Sequence, residues 1–117
     1  MHPLNENLTL DGIQRSVDLW MSQWKDGYWP PLANLARLTE EVGELARELN
    51  HRHGPKRKKE TEPDREDAVA GELADILFVV VALANSEGIQ LDAAFRAMMQ
   101  KLAIRDADRW EKGEPSP

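Results

Sequence analysis

Apolar and polar residues along the chain recur with the spacing of α-helices, and no segment alternates in the way that β-strands do. Turns that contain glycine or proline interrupt the pattern, and Gly88 is typical of the residue just past a helix end. We therefore predict an all-α fold, with a protomer that resembles a four-helix bundle. The chain is predicted to form a single domain, whose core spans about residues 9–110 and whose tail, residues 111–117, is frayed. The four predicted helices span Thr9–Lys25, Pro31–His51, Asp64–Glu87 and Leu91–Trp110.

The third predicted helix is apolar on all its faces from Ile76 to Ala84. In a small protein this pattern predicts a helix that is surrounded by other helices. The apolar run has nine residues, whereas a membrane-spanning helix needs roughly 20, so we expect a soluble protein with no membrane partner. Four short helices cannot enclose such a helix on every side, so we expect a second chain to cover it, in a homodimer or a tetramer.

Composition and charge restrict the partners of the chain. The absence of cysteine excludes disulfides and thiolate metal ligands. The first residues do not resemble a secretory signal, and we expect a cytoplasmic protein. A formal net charge of −6 argues against binding to a nucleic-acid polymer. The basic run Arg52–Lys59 contains glycine and proline and is interpreted as a solvated loop, with attraction of an anionic ligand as the alternative.

Acidic residues are concentrated on the second predicted helix. At 100° per residue, Glu40, Glu41 and Glu44 fall on one side of this helix, and its leucine and valine side chains fall on another. Taken alone, this separation is typical of an amphipathic helix with its charged side in water.

Two further carboxylates change this interpretation. Glu72 and Asp75 stand at the start of the apolar third helix, and residues 67–83 include no lysine or arginine that could pair with them locally. Carboxylates that enter a buried element are costly unless they are paired or bind a cation. Glu72 and Asp75 therefore need a positively charged partner from elsewhere.

The spacing of the carboxylates suggests what that partner is. Glu41 and Glu44 are three residues apart, as are Glu72 and Asp75, so two packed helices could direct two pairs of carboxylates to one point. Oxygen ligands alone favour Mg²⁺, or Mn²⁺ as its substitute, over zinc. Glu40 would remain beside the metal as a candidate general base for an attacking water.

The EEVGE run at Glu40 and the ELAD run at Glu72 together resemble the EExxE…ExxD signature of the MazG-like nucleotide pyrophosphohydrolases, within the all-α NTP pyrophosphatase superfamily. The flanking segments LARLTEEVGELAREL, ELADILFVVVALANSEGI and KLAIRDADRW are similar to that family as well, so the resemblance covers about Val17 to Trp110. It implies Mg²⁺-dependent cleavage of a nucleoside triphosphate between its α- and β-phosphates, which gives a monophosphate and pyrophosphate. It also implies nucleotide-pool house-cleaning and assembly as dimers or dimers of dimers.

Candidate substrate-binding residues lie on the last predicted helix. Lys101, Arg105 and Arg109 recur every four residues and predict a cationic stripe that would share the negative charge of a triphosphate with the metal. The alternative is an ordinary mixed surface, because Asp106 and Asp108 are close in sequence.

Two other residue types are candidates for contact with a nucleotide. Trp20 and Trp24 share a face of the first predicted helix, where they either belong to the bundle core or stack on a nucleobase, and Trp24 is the candidate for stacking. Asn85 matches a position that in relatives often lies near the nucleotide, although an asparagine at a helix end is also a common cap.

Two alternatives compete with this function. Glu48-x-x-His51 has the spacing found in di-iron bundles, but those bundles need two such motifs. The remaining histidines, His2 and His53, supply no second motif. His51 is therefore better explained as a cation at a helix end. The other alternative is a non-catalytic acidic helical module for interaction or dimerisation. The sequence leaves open the base, the sugar, the choice between normal and damaged nucleotides, and the number of metal ions.

Overall fold

The computed structural model describes residues 8–54 and 67–113. Within these ranges all the regular structure is helical, which confirms the predicted all-α class. The helices are α1 (Leu10–Ser22), α2 (Pro31–His53), α3 (Ala68–Ser86) and α4 (Leu91–Arg105).

Several predicted helix ends are wrong by a few residues. α1 ends at Ser22 and not at Lys25, because the chain turns there toward Gly27, whose φ is 62°. α4 ends at Arg105 and not at Trp110. The predicted start of the third helix and most of the basic run lie outside the described residues.

Local capping explains where the helices begin and stop. The Thr9 hydroxyl accepts a hydrogen bond of 3.0 Å from the Gly12 N–H at the start of α1. α2 begins with Pro31, whose fixed φ and missing N–H suit the first position of a helix. Gly88 follows the end of α3 with a φ of 68°, in the left-handed region that glycine adopts readily, as its position in the sequence predicts.

α3 is the central helix, because it packs against both α1 and α2, while α4 packs against α1. Val79 and Val81 of α3 are fully buried. By length and composition α3 could also cross a membrane, with a mean hydropathy of 1.9, but the core helix of a soluble protein passes the same test. The main core cluster consists of Val17, Met21, Val81 and Ala82, with Ile13, Tyr28, Phe78 and Leu91 packed against it.

One protomer leaves much apolar surface uncovered. Leu73 and Leu77 of α3 are about half exposed, so one chain does not enclose this helix, as expected for four short helices. α4 has no buried residue, and Phe95 and Met99 are among its exposed side chains.

A hydrogen-bond network around Asn85 joins the end of α3 and the start of α4 to α1. The Asn85 side-chain oxygen accepts from Gln14 Nε2 at 2.9 Å, and its Nδ2 donates to the Gln14 carbonyl and to Tyr28 Oη. Gln14 Oε1 also accepts from the N–H of Leu91 at the start of α4. Tyr28 Oη donates to Asp18 Oδ1 at 2.7 Å. This network sets the turn between α3 and α4 against α1.

The network makes a prediction for Tyr28. Burial, followed by the hydrogen bond to Asp18, raises the pKa of its hydroxyl from 10.0 to about 12. The folded state therefore keeps a proton that the unfolded chain loses from pH 10 upward, so this contribution to stability is present below pH 10 and disappears as the pH rises toward 12. Tyr28 is the sole tyrosine, so titration of the phenolate absorbance should show a midpoint well above 10.

Asp18→Asn should lower that midpoint, because it removes the carboxylate while keeping an oxygen acceptor near Tyr28. Circular dichroism recorded in parallel identifies the pH range over which the protein remains folded. A wild-type midpoint near 10 in folded protein would show that the hydroxyl is not held in this way.

Candidate functional site

Three carboxylates meet where α2 packs against α3. Glu41 of α2 and Glu72 and Asp75 of α3 each contribute one carboxylate oxygen, and these three oxygens lie within 4.8 Å of one another. Glu41 and Glu72 are partly buried, whereas Asp75 is exposed. We refer to these three residues as the carboxylate cluster.

Crowding and partial burial make the charged form of Glu72 unfavourable. Burial, then the hydrogen bond and the charge of Glu41, and then the charges of Asp75 and Glu44, raise the pKa of the Glu72 carboxyl. Its Oε2 is buried and has no hydrogen-bond partner within residues 8–54 and 67–113. An oxygen-only set of ligands with an orphaned buried oxygen suits a hard divalent cation, which would bind the carboxylates in their charged form.

The structure brings together three of the four predicted metal ligands. Glu44 lies outside the carboxylate cluster, although its charge contributes to the raised pKa of Glu72. Glu40, the predicted general base, is exposed on the adjacent position of α2. Both assignments remain predictions.

A cation that was not singled out from the sequence lies next to the cluster. Arg37 Nε is 3.8 Å from Glu41 Oε1, one helical turn along α2. Its guanidinium carbon lies 4.5 Å from the centre of the Trp29 ring. The four-residue spacing to Glu41 was visible in the sequence, but the contact with Trp29 depends on the path of the turn between α1 and α2.

An aromatic recess adjoins the carboxylate cluster. Phe78 of the recess lies one turn after Asp75 on α3, and Arg37 lies one turn before Glu41 on α2. Both helices that supply the cluster therefore also supply the recess. Its lining consists of Trp20, Met21, Trp24, Lys25, Asp26, Gly27, Trp29, Arg37 and Phe78.

Trp20 and Trp24 face this recess and do not belong to the core. Trp20 is 42% exposed and Trp24 is 53% exposed. Their rings meet edge to face with centres 5.6 Å apart. The structure thus places the predicted stacking residue Trp24 in an open aromatic recess beside the carboxylates.

The predicted cationic stripe on the last helix is wrong in its geometry. α4 ends at Arg105, so Arg109 lies beyond the helix. The Asp106 carboxylate holds both guanidiniums, with nitrogen–oxygen distances of 2.9 Å to Arg105 and 3.4 Å to Arg109, and the pairing with Arg105 lowers the pKa of the Asp106 carboxyl. Lys101 is exposed on α4. Substrate binding by these three cations remains a prediction.

Asn85 has a structural role that the sequence did not reveal. Both polar atoms of its side chain are hydrogen-bonded within the protomer, to Gln14 and to Tyr28. It also lines a groove with Gln14, Asp18 and Gln90. Contact between Asn85 and a nucleotide remains a prediction.

Comparison with known proteins connects this geometry to a family. Over 106 residues the chain is 52% identical to the uncharacterized protein YpjD of Bacillus subtilis (strain 168). The aligned region covers 91% of this chain and 94% of YpjD. A crystal structure of YpjD from Bacillus subtilis, described as a proposed pyrophosphatase, superposes on this chain with a TM-score of 0.73 and a sequence identity of 50%. The superposition covers 83% of this chain and 97% of the YpjD chain.

A second crystal structure is of a MazG protein conserved in Bacillus, described as a nucleotide pyrophosphohydrolase. It is 42% identical with a TM-score of 0.71, over 84% of this chain and 93% of that one. The family model of the MazG nucleotide pyrophosphohydrolase domain matches residues 30–110, which include the whole carboxylate cluster and its two helices. The chain therefore belongs to the MazG nucleotide pyrophosphohydrolase family.

Proposed function

We propose that this protein hydrolyses nucleoside triphosphates to the monophosphate and pyrophosphate at the carboxylate cluster. The observation that carries the proposal is the meeting of carboxylate oxygens from Glu41, Glu72 and Asp75 within 4.8 Å of one another. In addition, the buried Glu72 Oε2 has no hydrogen-bond partner among the described residues. Family membership supports a hydrolase that acts on nucleotides. In a cell, this activity would remove unwanted nucleotides from the cytoplasmic pool.

The carboxylate cluster fits Mg²⁺, with Mn²⁺ as a substitute, because all its ligands are oxygens. Glu44 is proposed as a further ligand, one turn along α2 from Glu41. When bound, the divalent cation would neutralise phosphate charge and acidify an attacking water. The three clustered side chains hold the ligand atoms, and the packing of α2 on α3 sets their spacing.

The recess and the cluster suggest how a nucleotide lies. The base would enter the aromatic recess and stack on Trp24, and the phosphates would extend toward Glu41 and Asp75, one turn away on α2 and α3. Stacking holds the base without selecting it, because every base has an aromatic face. We also propose that Lys101, Arg105 and Arg109 contribute positive charge to the triphosphate, and that Asn85 lies near the nucleotide.

Glu40 is proposed as the general base. It is exposed beside Glu41 and lies outside the carboxylate cluster, so its carboxylate is available to orient water. In the proposed reaction, Glu40 takes a proton from the water that attacks the α-phosphorus, in line with the departing pyrophosphate. The bond between the α-phosphorus and the bridging oxygen breaks, and pyrophosphate leaves with that oxygen.

The metal ligands can be tested by neutral substitutions of similar size. Glu41→Gln, Glu44→Gln, Glu72→Gln and Asp75→Asn should each abolish Mg²⁺-dependent pyrophosphate release, because a neutral amide holds a divalent cation weakly. The matched control is Glu87→Gln, at the other end of α3, which should retain wild-type turnover. Normal activity in Asp75→Asn would contradict the assignment.

Metal-free stability provides an independent readout of the same variants. Glu72→Gln should raise the unfolding free energy of the metal-free protein by about 0.5–2 kcal/mol, because it removes one of several crowded like charges. Millimolar Mg²⁺ should raise the melting temperature of wild type but not of Glu72→Gln. A non-catalytic interaction module would show no stabilisation by Mg²⁺ in either protein.

Glu40→Gln tests the general base separately. The turnover number should fall by about 10²–10⁴-fold, while affinities for metal and nucleotide change little, and the pH profile should lose its acidic limb. If Glu40→Gln loses metal binding as completely as Asp75→Asn, Glu40 is a ligand and not a base. Hydrolysis in isotopically labelled water should place the heavy oxygen in the monophosphate, and a label in pyrophosphate would exclude attack at the α-phosphorus.

We propose a homodimer or tetramer, because exposed apolar side chains on α3 and α4, such as Leu73 and Phe95, need cover in water. Light scattering should give a mass that is two or four times that of the chain. A mass of 13.3 kDa at working concentration would contradict this assembly.

A further inference from the structure

We propose that Arg37 binds the α-phosphate of the nucleotide and stabilises the charge that develops there during attack. This inference rests on the proposed function, and it assigns a role to a residue outside the carboxylate pairs and the α4 cations. The position of Arg37, its unused donors and its charge each support it.

Arg37 lies at the boundary between the two parts of the proposed site. Its guanidinium rests on Trp29 of the aromatic recess and its Nε approaches Glu41 of the carboxylate cluster. A nucleotide with its base in the recess and its β- and γ-phosphates at the cluster would pass Arg37 at the α-phosphate. That phosphorus is the one attacked in the proposed reaction.

The guanidinium of Arg37 has donors to spare. In the described part of the chain the Arg37 side chain forms no hydrogen bond. Its Nε lies 3.8 Å from Glu41 Oε1, which is close enough for an ion pair but beyond hydrogen-bond range. A guanidinium has five N–H donors in a planar fork that matches two phosphate oxygens. By contrast, Asp106 engages Arg105 and Arg109, and Asp92 engages Arg96 at 2.8 Å.

Arg37 also lies close enough to the carboxylate cluster to form an ion pair with it. Over residues 8–54 and 67–113, it is the one basic side chain within ion-pair distance of a cluster carboxylate. A divalent cation on the cluster would weaken the attraction of Glu41 for Arg37, which would favour movement of the guanidinium toward a phosphate. The side chain is 39% exposed, so it can reach a ligand without disturbing the core.

Comparing the binding of a nucleoside with that of its monophosphate distinguishes phosphate binding by Arg37 from a purely structural role of this residue. The two ligands differ by the α-phosphate alone. Titration calorimetry, in metal-free buffer, would use common ribo- and deoxyribonucleoside monophosphates with their matching nucleosides. Arg37→Gln should weaken monophosphate binding by about 10- to 100-fold and leave nucleoside binding within about twofold. Arg37→Lys should restore part of the loss, because it keeps the charge but not the fork.

Arg96→Gln is the matched control, because Arg96 is an exposed arginine on α4 whose partner is Asp92, and it should bind both ligands as wild type does. Arg37→Met keeps an unbranched apolar stem against Trp29 and replaces Arg37→Gln if circular dichroism shows that the latter is unfolded. Equal loss of nucleoside and monophosphate binding would show that Arg37 only supports Trp29, and would overturn the proposal. Unchanged monophosphate binding would overturn it as well.

Kinetics give a second readout. Arg37→Gln should lower the turnover number for pyrophosphate release by about 10²-fold, because the charge it contacts grows in the transition state. If wild type releases no pyrophosphate from any nucleoside triphosphate, the proposed function fails, whatever Arg37 does. If wild type is active and Arg37→Gln is equally active, only the role of Arg37 fails.

Discussion

The crowding of like charges between α2 and α3 is the constraint that the rest of the structure has to accommodate. Glu41, Glu72 and Asp75 repel one another at this distance, and partial burial makes the charged form of Glu72 still less favourable. Arg37 offsets this through one long ion pair only. A fold that keeps such a cluster gives up stability for a site that a cation can fill.

The rest of the fold supplies the support that the cluster needs. α3 packs on both α1 and α2, with Val79 and Val81 fully buried, so the helix that carries Glu72 and Asp75 is firmly placed. The network around Asn85 then fixes the far end of α3 against α1. Because α1 ends in the aromatic recess, the packing that holds the carboxylates also brings Trp20 and Trp24 beside them.

Sequence patterns predicted the parts that depend on local order. Helix number and class followed from periodicity, and the ends at Pro31 and Gly88 followed from backbone preferences. The pairing of carboxylates across two helices could be anticipated for two reasons. A spacing of three residues places side chains on one face, and the carboxylates at the start of the apolar third helix had no local cation.

Features that depend on distant contacts could not be predicted. Asn85 is tied to Gln14, 71 residues away, and no spacing rule indicates such a pair. The geometry of Lys101, Arg105 and Arg109 differs from a helical stripe because α4 ends at Arg105 and Asp106 pairs with both arginines there. The surface that covers the exposed face of α3 around Leu73 could not be predicted either, because apolarity predicts that a face is covered without telling which residues cover it.

The most direct test of the central claim is to locate a divalent cation by its anomalous scattering. Crystals grown with Mn²⁺ and a non-hydrolysable nucleoside triphosphate analogue should show an anomalous peak among the carboxylates of Glu41, Glu72 and Asp75, at about 2.1 Å from their oxygens. The phosphates of the analogue should reach the same ion. An anomalous map with no peak at these carboxylates, in crystals that hold the bound analogue, would contradict the account.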